Sequence, residues 1–349
     1  MTKVVVIGAG NIGQALAAFL GSRPELHVVI WGRRWASPAE LTLTVYGAEG
    51  TYAIGTAFAE PSLRRALEGA DVAIIAVPTH VRRRVLEQAA PRLTDCAMLV
   101  SWEGTGWFRE HLKELGIERP IAVGLQRSPI LCRVRSNGQS VEIFGVRTEV
   151  VAATTKPADR SCARQLLDSL LPFGFAFAPS YECVSLSPSN PLIHPARVYS
   201  FDRPGVDLAR DVRFYADWDD AASEVLLLLH GEVARLRDEL RLPRRYLRTL
   251  ADQPRPRAPS EITRLHRTQA CLAELQVPVR QGSRGRSLDR RHRFFREDIG
   301  EGLAYILDIA SHAGVEMPAA QAIYNWYHRP NERDPRTARV HDAADHSLR

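Results

Sequence analysis

A glycine-rich turn near the N-terminus constrains the fold of this chain more than any other feature. The apolar run Val4–Ile7 leads into Gly8-Ala9-Gly10-Asn11-Ile12-Gly13, a helical pattern follows, and a second apolar run covers Val28–Trp31. In such a unit the first glycine permits a tight turn, the second lets the backbone approach a pyrophosphate, and the third lets the helix pack on the sheet. The helix N-terminus offers unpaired N–H groups to the phosphates. The pattern therefore predicts a dinucleotide-binding βαβ unit with Gly8, Gly10, Asn11, Ile12 and Gly13 at the cofactor, and a purely structural turn is the alternative.

The end of the second strand predicts which dinucleotide binds. A carboxylate at this place would accept hydrogen bonds from the ribose hydroxyls of NAD, but the chain has Gly32 followed by Arg33 and Arg34. A small residue leaves room for a 2′-phosphate, and guanidinium groups match its charge and geometry. We therefore expect NADP(H) rather than NAD(H). The alternative is that both arginines are ordinary surface residues.

Length and composition indicate a two-domain protein of a reducing compartment. The 349 residues contain no apolar run of membrane-spanning length, and Met1-Thr2-Lys3 leads directly into the first strand, which leaves no room for a signal peptide. The five cysteines are scattered and form no CxxC pair, so we expect neither a disulfide framework nor a metal site. The predicted location is the cytoplasm.

One basic segment accounts for the net charge of +6. Residues 243–293 contain thirteen arginines against four acidic residues, which leaves the remainder of the chain slightly acidic. Tyr246 is the aromatic residue interleaved there, so the segment lacks the stacking residues of a nucleic-acid surface. We expect no nucleic-acid partner and predict a solvated loop, with attraction of anionic substrates as the alternative.

Strands alternate with helices up to about residue 183. This alternation predicts a Rossmann-type, doubly wound parallel sheet as domain 1–183. The expected strands after the first two are Leu41–Tyr46 and Thr51–Ile54 as a small pair, then Ala70–Pro78, Ala97–Ser101, Ile121–Leu125, Val141–Phe144 and Glu149–Thr154. Ligands of such sheets bind beyond the carboxyl ends of strands, so Val77 and Pro78 should border the nicotinamide. The loop Trp102–Gly106 is either a further wall of that site or an ordinary turn.

A mostly α-helical second domain is predicted for residues 184–328. Its expected helices are Asp217–Leu240, Leu288–Ser311 and Pro318–Tyr327. Residues 329–349 are polar, and we expect a flexible tail.

Two places in this second domain carry candidate chemistry. His194 is framed by Pro191 and Pro195, with Asn190 before it, and imidazole is suited to moving a proton near neutral pH or polarising a carbonyl. A packed structural histidine is the alternative.

The other place is Arg293 and Asp298, which flank an aromatic pair. A guanidinium can bind a substrate carboxylate, and an aspartate can hold an imidazole in one tautomer. The alternative is an Arg–Asp pair that only stabilises the start of a helix.

Several motifs resemble those of the octopine/nopaline (opine) dehydrogenases over roughly residues 1–325. They are the glycine turn, Gln126-Arg127-Ser128-Pro129, Ser140-Val141-Glu142-Ile143, Asn190-Pro191-Leu192-Ile193-His194-Pro195 and Arg293-Phe294-Phe295-Arg296-Glu297-Asp298. The resemblance implies a Rossmann domain followed by a helical domain. It also implies reductive condensation of an amino acid with a 2-oxo acid to an N-(1-carboxyalkyl) amino acid.

The same resemblance implies residue roles. His194 would polarise the carbonyl or donate a proton, Asp298 would support His194, and Arg293 and Asn190 would bind substrate. A homodimer is a candidate assembly, and no membrane partner is expected. The segment 243–293 does not align with the family and leaves the amino donor undetermined.

Two other functions remain open from the sequence. One is a 2-oxo or 2-hydroxy acid reductase of the ketopantoate-reductase type. Such enzymes resemble one another in using a catalytic lysine of the helical domain, but no lysine follows Lys156 here. The other is a non-catalytic NADP(H)-binding sensor, which would need no proton donor.

Overall fold

The computed structural model describes residues 1–187, 190–203, 206, 208, 210–252, 258–269, 272–282 and 285–329. The chain divides into two compact units. Unit 1 consists of Met1–Ser187 and Arg241–Leu247, and unit 2 of Pro188–Leu240 and Arg248–Arg349. The tail expected at 329–349 lies, apart from Arg329, outside the described residues.

Unit 1 is built on one eleven-stranded, mostly parallel sheet. The strands are β1 (Thr2–Ile7), β2 (Leu26–Trp31), β3 (Ala39–Gly47), β4 (Gly50–Glu60), β5 (Val72–Ile75), β6 (Met98–Ser101), β7 (Ile121–Leu125), β8 (Ile130–Ser136), β9 (Ser140–Val146), β10 (Glu149–Thr154) and β11 (Gly174–Phe177). Their order in the sheet is β11-β10-β7-β6-β5-β1-β2-β4-β3-β9-β8. The helices are α1 (Asn11–Gly21), α2 (Leu63–Leu67), α3 (Thr79–Leu93), α4 (Phe108–Glu114), α5 (Arg160–Leu170) and α6 (Glu182–Ser185). The predicted doubly wound architecture is confirmed.

The central strands are buried on both faces because their sequences are uninterrupted apolar runs. Val4 and Val6 of β1 belong to one hydrophobic cluster, and Val5 and Ile7 belong to another. Successive side chains of a strand point to opposite faces, so the two clusters lie on opposite sides of the sheet. Parallel pairing of β1 with both β2 and β5 then brings the carboxyl ends of these strands to one edge.

The predicted strand pair is present as the longer antiparallel pair of β3 and β4. Strands β8 and β11 were not predicted. β8 pairs with β9 in an antiparallel hairpin at the edge of the sheet, and β11 pairs in parallel with β10.

Unit 2 is mostly helical, as expected. Its helices are α7 (Asn190–Tyr199), α8 (Asp220–Glu239), α9 (Pro259–Arg267), α10 (Arg293–Arg296), α11 (Ala304–His312) and α12 (Pro318–His328). A small antiparallel pair joins β12 (Val279–Gly282) and β13 (Gly285–Leu288). Helix α8 begins three residues later than predicted because the Asp219 carboxylate accepts a hydrogen bond from the Ala222 N–H and caps the helix.

The prediction of one helix over Leu288–Ser311 was wrong. The region contains the end of β13, helix α10, a π-helical segment at Asp298–Leu303, and helix α11. The His292 Nδ1 accepts a hydrogen bond from the Phe294 N–H, which fixes the start of α10. In the π-helical segment the Gly302 N–H donates to the Glu297 carbonyl five residues back, at 2.9 Å.

The prediction of a solvated loop over residues 243–293 was also largely wrong. The segment contains α9, β12 and β13, and its first residues belong to unit 1. Helix α9 begins at Pro259, whose fixed φ suits the first turn of a helix, and it buries Ile262, Thr263 and His266. The described arginines of this segment therefore lie on helices, strands and turns, whereas residues 253–257, 270–271 and 283–284 lie outside the described residues.

No helix in the described chain is long and apolar enough to cross a membrane. Among the described cysteines, Cys96, Cys132, Cys162 and Cys183 are free. Within the same residues, no group of three or more His, Cys, Asp and Glu side chains is arranged to hold a metal ion.

Candidate active site

The glycine turn between β1 and α1 leaves an open cradle at a helix N-terminus. Gly8 has φ +125°, and a Cβ there would lie 2.5 Å from the Ala76 carbonyl oxygen. A Cβ on Gly13 would lie 1.6 Å from the Gly8 carbonyl oxygen, so neither position accepts a side chain. Gly10 precedes α1 without a side-chain cap, and no atom lies within 4 Å of its would-be Cβ. The free N–H groups and the helix dipole suit this cradle to a phosphate group.

Asn11 and Ile12 begin α1 but point their side chains elsewhere. The Asn11 Oδ1 accepts a hydrogen bond of 2.9 Å from the Val134 N–H of β8. Ile12 packs against the hydrophobic cluster of unit 1. Their backbone N–H groups remain at the helix N-terminus, so their predicted cofactor role rests on the backbone.

The side-chain amide of Gln14 holds the glycine turn in place through hydrogen bonds, a role that the sequence does not indicate. It is buried, and its Nε2 donates to the Ala9 carbonyl and to the Asn137 Oδ1, both at 2.9 Å. Its Oε1 accepts from the Gly138 N–H at 2.8 Å. The amide therefore ties the glycine turn to the turn between β8 and β9, which is itself remote in sequence.

The residues after β2 leave no room for a carboxylate. A Cβ on Gly32 would lie 2.3 Å from the Ala9 Cβ and 3.0 Å from the Trp35 Nε1. Arg33 and Arg34, which follow, are both exposed. The structure thus places two cations directly after Gly32, and the nearby Glu60 of β4, which pairs with Trp31, accepts a hydrogen bond of 2.7 Å from the Ser62 N–H.

Val77 and Pro78 follow β5 at the same edge of the sheet. The Val77 Cγ1 lies 3.0 Å from the would-be Cβ of Gly8, which places this residue beside the glycine turn. Pro78 directly precedes α3. Val77 therefore lies beside the glycine turn, and the contact of Val77 and Pro78 with nicotinamide stays a prediction.

The loop after β6 is held rigidly by a buried arginine. Arg82 of α3 donates from Nη1 to the Glu103 carbonyl at 2.7 Å and from Nη2 to the Thr105 carbonyl at 2.8 Å. The Tyr181 hydroxyl donates to the Gly104 carbonyl at 2.9 Å. Arg82 is one of three consecutive arginines, so the sequence does not indicate that it is buried.

In unit 2, helix α7 presents His194. Pro191 stands in the first turn of the helix, where a missing N–H costs nothing. Asn190 begins the helix one turn before His194 and is partly buried. His194 itself is only 4% exposed.

His194 and Asp298 form a buried pair. The His194 Nδ1 lies 2.7 Å from the Asp298 Oδ2, although the two residues are 104 positions apart. The Phe294 ring lies over the imidazole at 4.0 Å between centroids, and Phe214 meets it edge-on at 5.3 Å. The Nε2 on the opposite side of the imidazole lies 3.4 Å from the Tyr215 hydroxyl. Because Nδ1 is engaged with the carboxylate, Nε2 is the nitrogen that can exchange a proton with a substrate.

Burial controls the protonation of this pair. Burial and, to a smaller extent, the positive charge of Arg293 lower the pKa of His194 to about 3, against the opposing effect of Glu297. Burial raises the pKa of Asp298 to about 8, against the opposing effect of Arg293. At neutral pH the carboxyl group and the imidazole are therefore both uncharged, with one proton between Oδ2 and Nδ1 and a second on Nε2, which makes Nε2–H a donor. Above about pH 8 the pair loses one proton, the remaining proton stays at Nδ1, and Nε2 becomes an acceptor.

Arg293 stands apart from this hydrogen bond. Its Nε lies 3.5 Å from the Glu297 Oε2, and its side chain is half exposed. The structure therefore pairs Arg293 with Glu297 and pairs Asp298 with His194. Its charge still acts on both members of the buried pair.

Two family models match this chain. Residues 178–330 match the alpha-helical domain of NAD/NADP octopine/nopaline dehydrogenase. Residues 3–106 match the N-terminus of NAD-dependent glycerol-3-phosphate dehydrogenase. Pyridine-nucleotide binding by unit 1 follows from the second match, and neither match distinguishes NADP from NAD.

Curated relatives are similar over almost the whole chain. Octopine dehydrogenase of Pecten maximus is 24% identical over 363 residues, which cover 93% of this chain and 89% of that protein. Vitopine synthase of Allorhizobium ampelinum is 24% identical over 352 residues, with the same coverage of 93% and 89%.

Solved structures share the fold. Octopine dehydrogenase with NADH and L-arginine has a TM-score of 0.75 at 21% identity, over 94% of this chain and 89% of that one. NADP⁺-bound yersinopine dehydrogenase has a TM-score of 0.71 at 15% identity, over 99% of this chain and 93% of that one. A PanE/ApbA family ketopantoate reductase from Ralstonia eutropha has a TM-score of 0.61 at 14% identity, over 99% of this chain and 100% of that one.

Proposed function

Because the chain belongs to the octopine/nopaline dehydrogenase family and is an NAD(P)-dependent oxidoreductase acting on CH–NH donors, we propose that it reductively condenses an amino acid with a 2-oxo acid. The product is an N-(1-carboxyalkyl) amino acid. The observation that carries this proposal is the buried pair of His194 and Asp298. A reaction that joins an amine to a carbonyl must move protons between nitrogen and oxygen, and this pair can accept and return a proton at Nε2.

His194 is the proton-transfer residue of the proposed reaction. Its Nε2 takes a proton from the reacting nitrogen, or donates one to the carbonyl oxygen and so polarises it. Asp298 holds Nδ1 and absorbs the charge that arises when Nε2 is protonated. The aromatic rings of Phe214 and Phe294 keep water away from the pair, which strengthens its electrostatic coupling.

Arg293 and Asn190 are the proposed substrate-binding residues. A half-exposed guanidinium can bind the carboxylate of the 2-oxo acid in a two-pronged hydrogen bond. Its effect on the pKa of both His194 and Asp298 indicates that an anion bound to it would be close to the proton-transfer pair. Asn190 lies one helical turn from His194, on the same face of α7.

Unit 1 holds the dinucleotide, and we propose NADPH as the preferred form. Gly8, Gly10 and Gly13 and the N-terminus of α1 would bind the pyrophosphate, with Val77 and Pro78 bordering the nicotinamide. Arg33 and Arg34 would bind the 2′-phosphate, and the crowded position of Gly32 leaves no room for the acid that favours NAD. When bound, the cofactor supplies the hydride that reduces the substrate C2 carbon.

The second candidate is a reductase that acts on the oxo acid without an amine. The ketopantoate reductase structure shares the fold, which favours this candidate at the level of architecture. The lysine that such enzymes use in the helical domain has no counterpart, because the last lysine of this sequence is Lys156 in unit 1.

The test measures NADPH consumption with a panel of 2-oxo acids, each with and without a panel of amino acids. The proposal predicts consumption that requires both partners and a product with the mass of the condensed, reduced pair. Consumption with an oxo acid alone would establish the second candidate instead. No consumption with any pair would refute both.

Two variants complete the test. His194→Ala should retain NADPH binding, followed by the fluorescence of the bound cofactor, and should lose turnover. His312→Ala is the matched control, because this histidine is exposed on α11, and it should behave as the wild type. Equal turnover in all three proteins would remove His194 from the mechanism.

A further inference from the structure

Tyr215 lies against Nε2, the nitrogen of His194 that is not engaged with Asp298. Its hydroxyl is 3.4 Å from the His194 Nε2, on the side of the imidazole opposite Asp298. The residue is 5% exposed and lies in the turn before α8. A phenol can both donate and accept a hydrogen bond, so it can exchange a proton with an imidazole nitrogen in either direction.

The position of Tyr215 is fixed by the same helix that carries His194. Arg197, one turn after His194 on α7 and 1% exposed, donates from Nε to the Phe214 carbonyl at 3.2 Å. Its Nη2 donates to the Asp217 carbonyl at 2.6 Å. These two bonds bracket Tyr215, and its ring also stacks on Trp218 with an interplanar angle of 12°. The distance from hydroxyl to Nε2 is therefore set by buried architecture.

The proposed reaction needs two proton transfers from nitrogen to oxygen. The amino acid enters as an ammonium ion with three protons, and the iminium ion formed on condensation keeps one. The other two leave with the carbonyl oxygen as water. One proton must move when the N–C bond forms, and the second must move before the C–O bond breaks. Each transfer needs an acceptor beside the nitrogen and a donor beside the oxygen.

We propose that Tyr215 is a second catalytic residue, which donates the protons to the departing oxygen while His194 accepts them from the nitrogen. This inference rests on the proposed function. In each transfer Nε2 takes a proton from nitrogen, the phenol gives its proton to oxygen, and the phenolate is restored by Nε2–H. After the second transfer the C–O bond breaks, water leaves, and hydride from the reduced dinucleotide reduces the iminium carbon. The neutral amine then takes a proton from solvent.

Oxidation of the opine separates the two residues. In that direction His194 must take the proton of the secondary ammonium before hydride leaves, whereas Tyr215 acts only afterwards, when water adds and the C–N bond breaks. The substrate is the opine that the wild-type enzyme makes from its best amino acid and oxo acid. Rapid mixing with NADP⁺ follows NADPH formation, and a second assay follows release of the oxo acid.

Tyr215→Phe keeps the ring and its stacking on Trp218. We expect a full burst of NADPH, one per site, followed by turnover and oxo-acid release slowed about a hundredfold, in the range of general acid–base effects. His194→Ala should lose the burst as well. Tyr199→Phe is the matched control, since it removes a phenol hydroxyl from α7 beside Trp326, and it should leave both phases unchanged.

The outcomes are distinct. A burst that falls together with turnover in Tyr215→Phe, or turnover equal to the wild type, would overturn the role of Tyr215 while the proposed function stands. If no amino acid and oxo acid pair supports wild-type turnover, the proposed function fails and the relay fails with it. If Tyr215→Phe does not fold, 3,5-difluorotyrosine at position 215 keeps the shape and acidifies the phenol. It should then shift the pH profile of turnover and leave that of the burst in place, and an unshifted profile would overturn the inference.

Discussion

Replacing Asp298 with asparagine should raise the stability of the protein relative to the wild type as the pH rises from 4 to 7, and should inactivate it. The carboxyl group is buried, and its pKa rises from the ordinary 3.8 to about 8. At pH 7 the folded protein therefore holds a protonated carboxyl group, whereas the unfolded chain has an ionised one. This difference destabilises the fold, is absent below about pH 4, and grows as the pH rises towards 8.

The magnitude follows from the size of the pKa shift. Each unit of pH between 3.8 and 7 adds about 1.4 kcal/mol to the cost of folding, so the total reaches up to about 4 kcal/mol. Asparagine has nearly the same shape and does not titrate. The difference in free energy of unfolding between the variant and the wild type should therefore shift by this amount in favour of the variant between pH 4 and pH 7. The titration of His194 is common to both proteins.

Urea unfolding of both proteins at pH 4, 5.5 and 7 measures this change. Asp168→Asn is the matched control, because that aspartate is exposed on α5, and the change expected for Asp298→Asn between pH 4 and pH 7 should not appear there. A difference for Asp298→Asn that does not change with pH would refute a buried, protonated carboxyl group. Turnover should fall by about 10²–10⁴, since an amide cannot absorb the charge of a protonated imidazole.

Three further predictions follow from the site. The rate of opine oxidation should rise about tenfold per pH unit up to about pH 8 and then level off, because the His194 Nε2 can accept a proton only after the pair has lost one. A rate that does not change between pH 6 and 8 would contradict this. Arg33→Ser with Arg34→Ser should weaken NADPH binding about tenfold or more and leave NADH binding unchanged, measured by cofactor fluorescence, and equal losses for both would contradict a 2′-phosphate contact. Gly302→Ala should lower kcat and the thermal midpoint, because its Cβ would lie 2.7 Å from the Pro191 Cγ, whereas the control Gly300→Ala meets nothing closer than 3.5 Å. Equal effects of the two glycine changes would show that the approach of Pro191 is unimportant.

Local patterns with one strong physical interpretation were predicted well. The run Val4–Ile7 is fully buried in β1, and α1 begins at Asn11, directly after the glycine turn. In both cases the interpretation depends on neighbours in sequence, because an apolar run fits a parallel sheet and glycines fit a tight turn. The crowding at Gly8 and Gly13 confirms why those positions lack side chains.

Features that depend on distant contacts were missed. The segment 241–247 looks like part of a basic loop, but the Tyr246 carbonyl accepts a hydrogen bond of 2.6 Å from the Gln126 Nε2, and the segment joins unit 1. Strand β8 was missed although Cys132-Arg133-Val134-Arg135 alternates apolar and basic residues, and its place at the edge of the sheet depends on its pairing with β9. Neither property is visible in the composition of the segment itself.

The candidate site shows the same division. The sequence supplies the residue types of His194 and Asp298, but their proximity came from a family resemblance, because 104 residues separate them. No sequence pattern indicated Tyr215, because its position depends on the hydrogen bonds that Arg197 donates to the Phe214 and Asp217 carbonyls on either side of it. A buried arginine that binds backbone carbonyls looks, in sequence, like any surface arginine.

The 2.7 Å bond in the buried pair depends on how closely two backbones approach. His194 lies on α7, and Asp298 begins the π-helical segment, where the Gly302 N–H reaches back five residues to the Glu297 carbonyl. Pro191 of α7 fills the space that a side chain on Gly302 would need. The close packing of α7 on the π-helical segment therefore requires a glycine at position 302, because a side chain there would meet Pro191. Neither residue indicates this contact in the sequence. Short π-helical segments occur often at functional sites, and here the segment begins at the carboxyl group that supports His194.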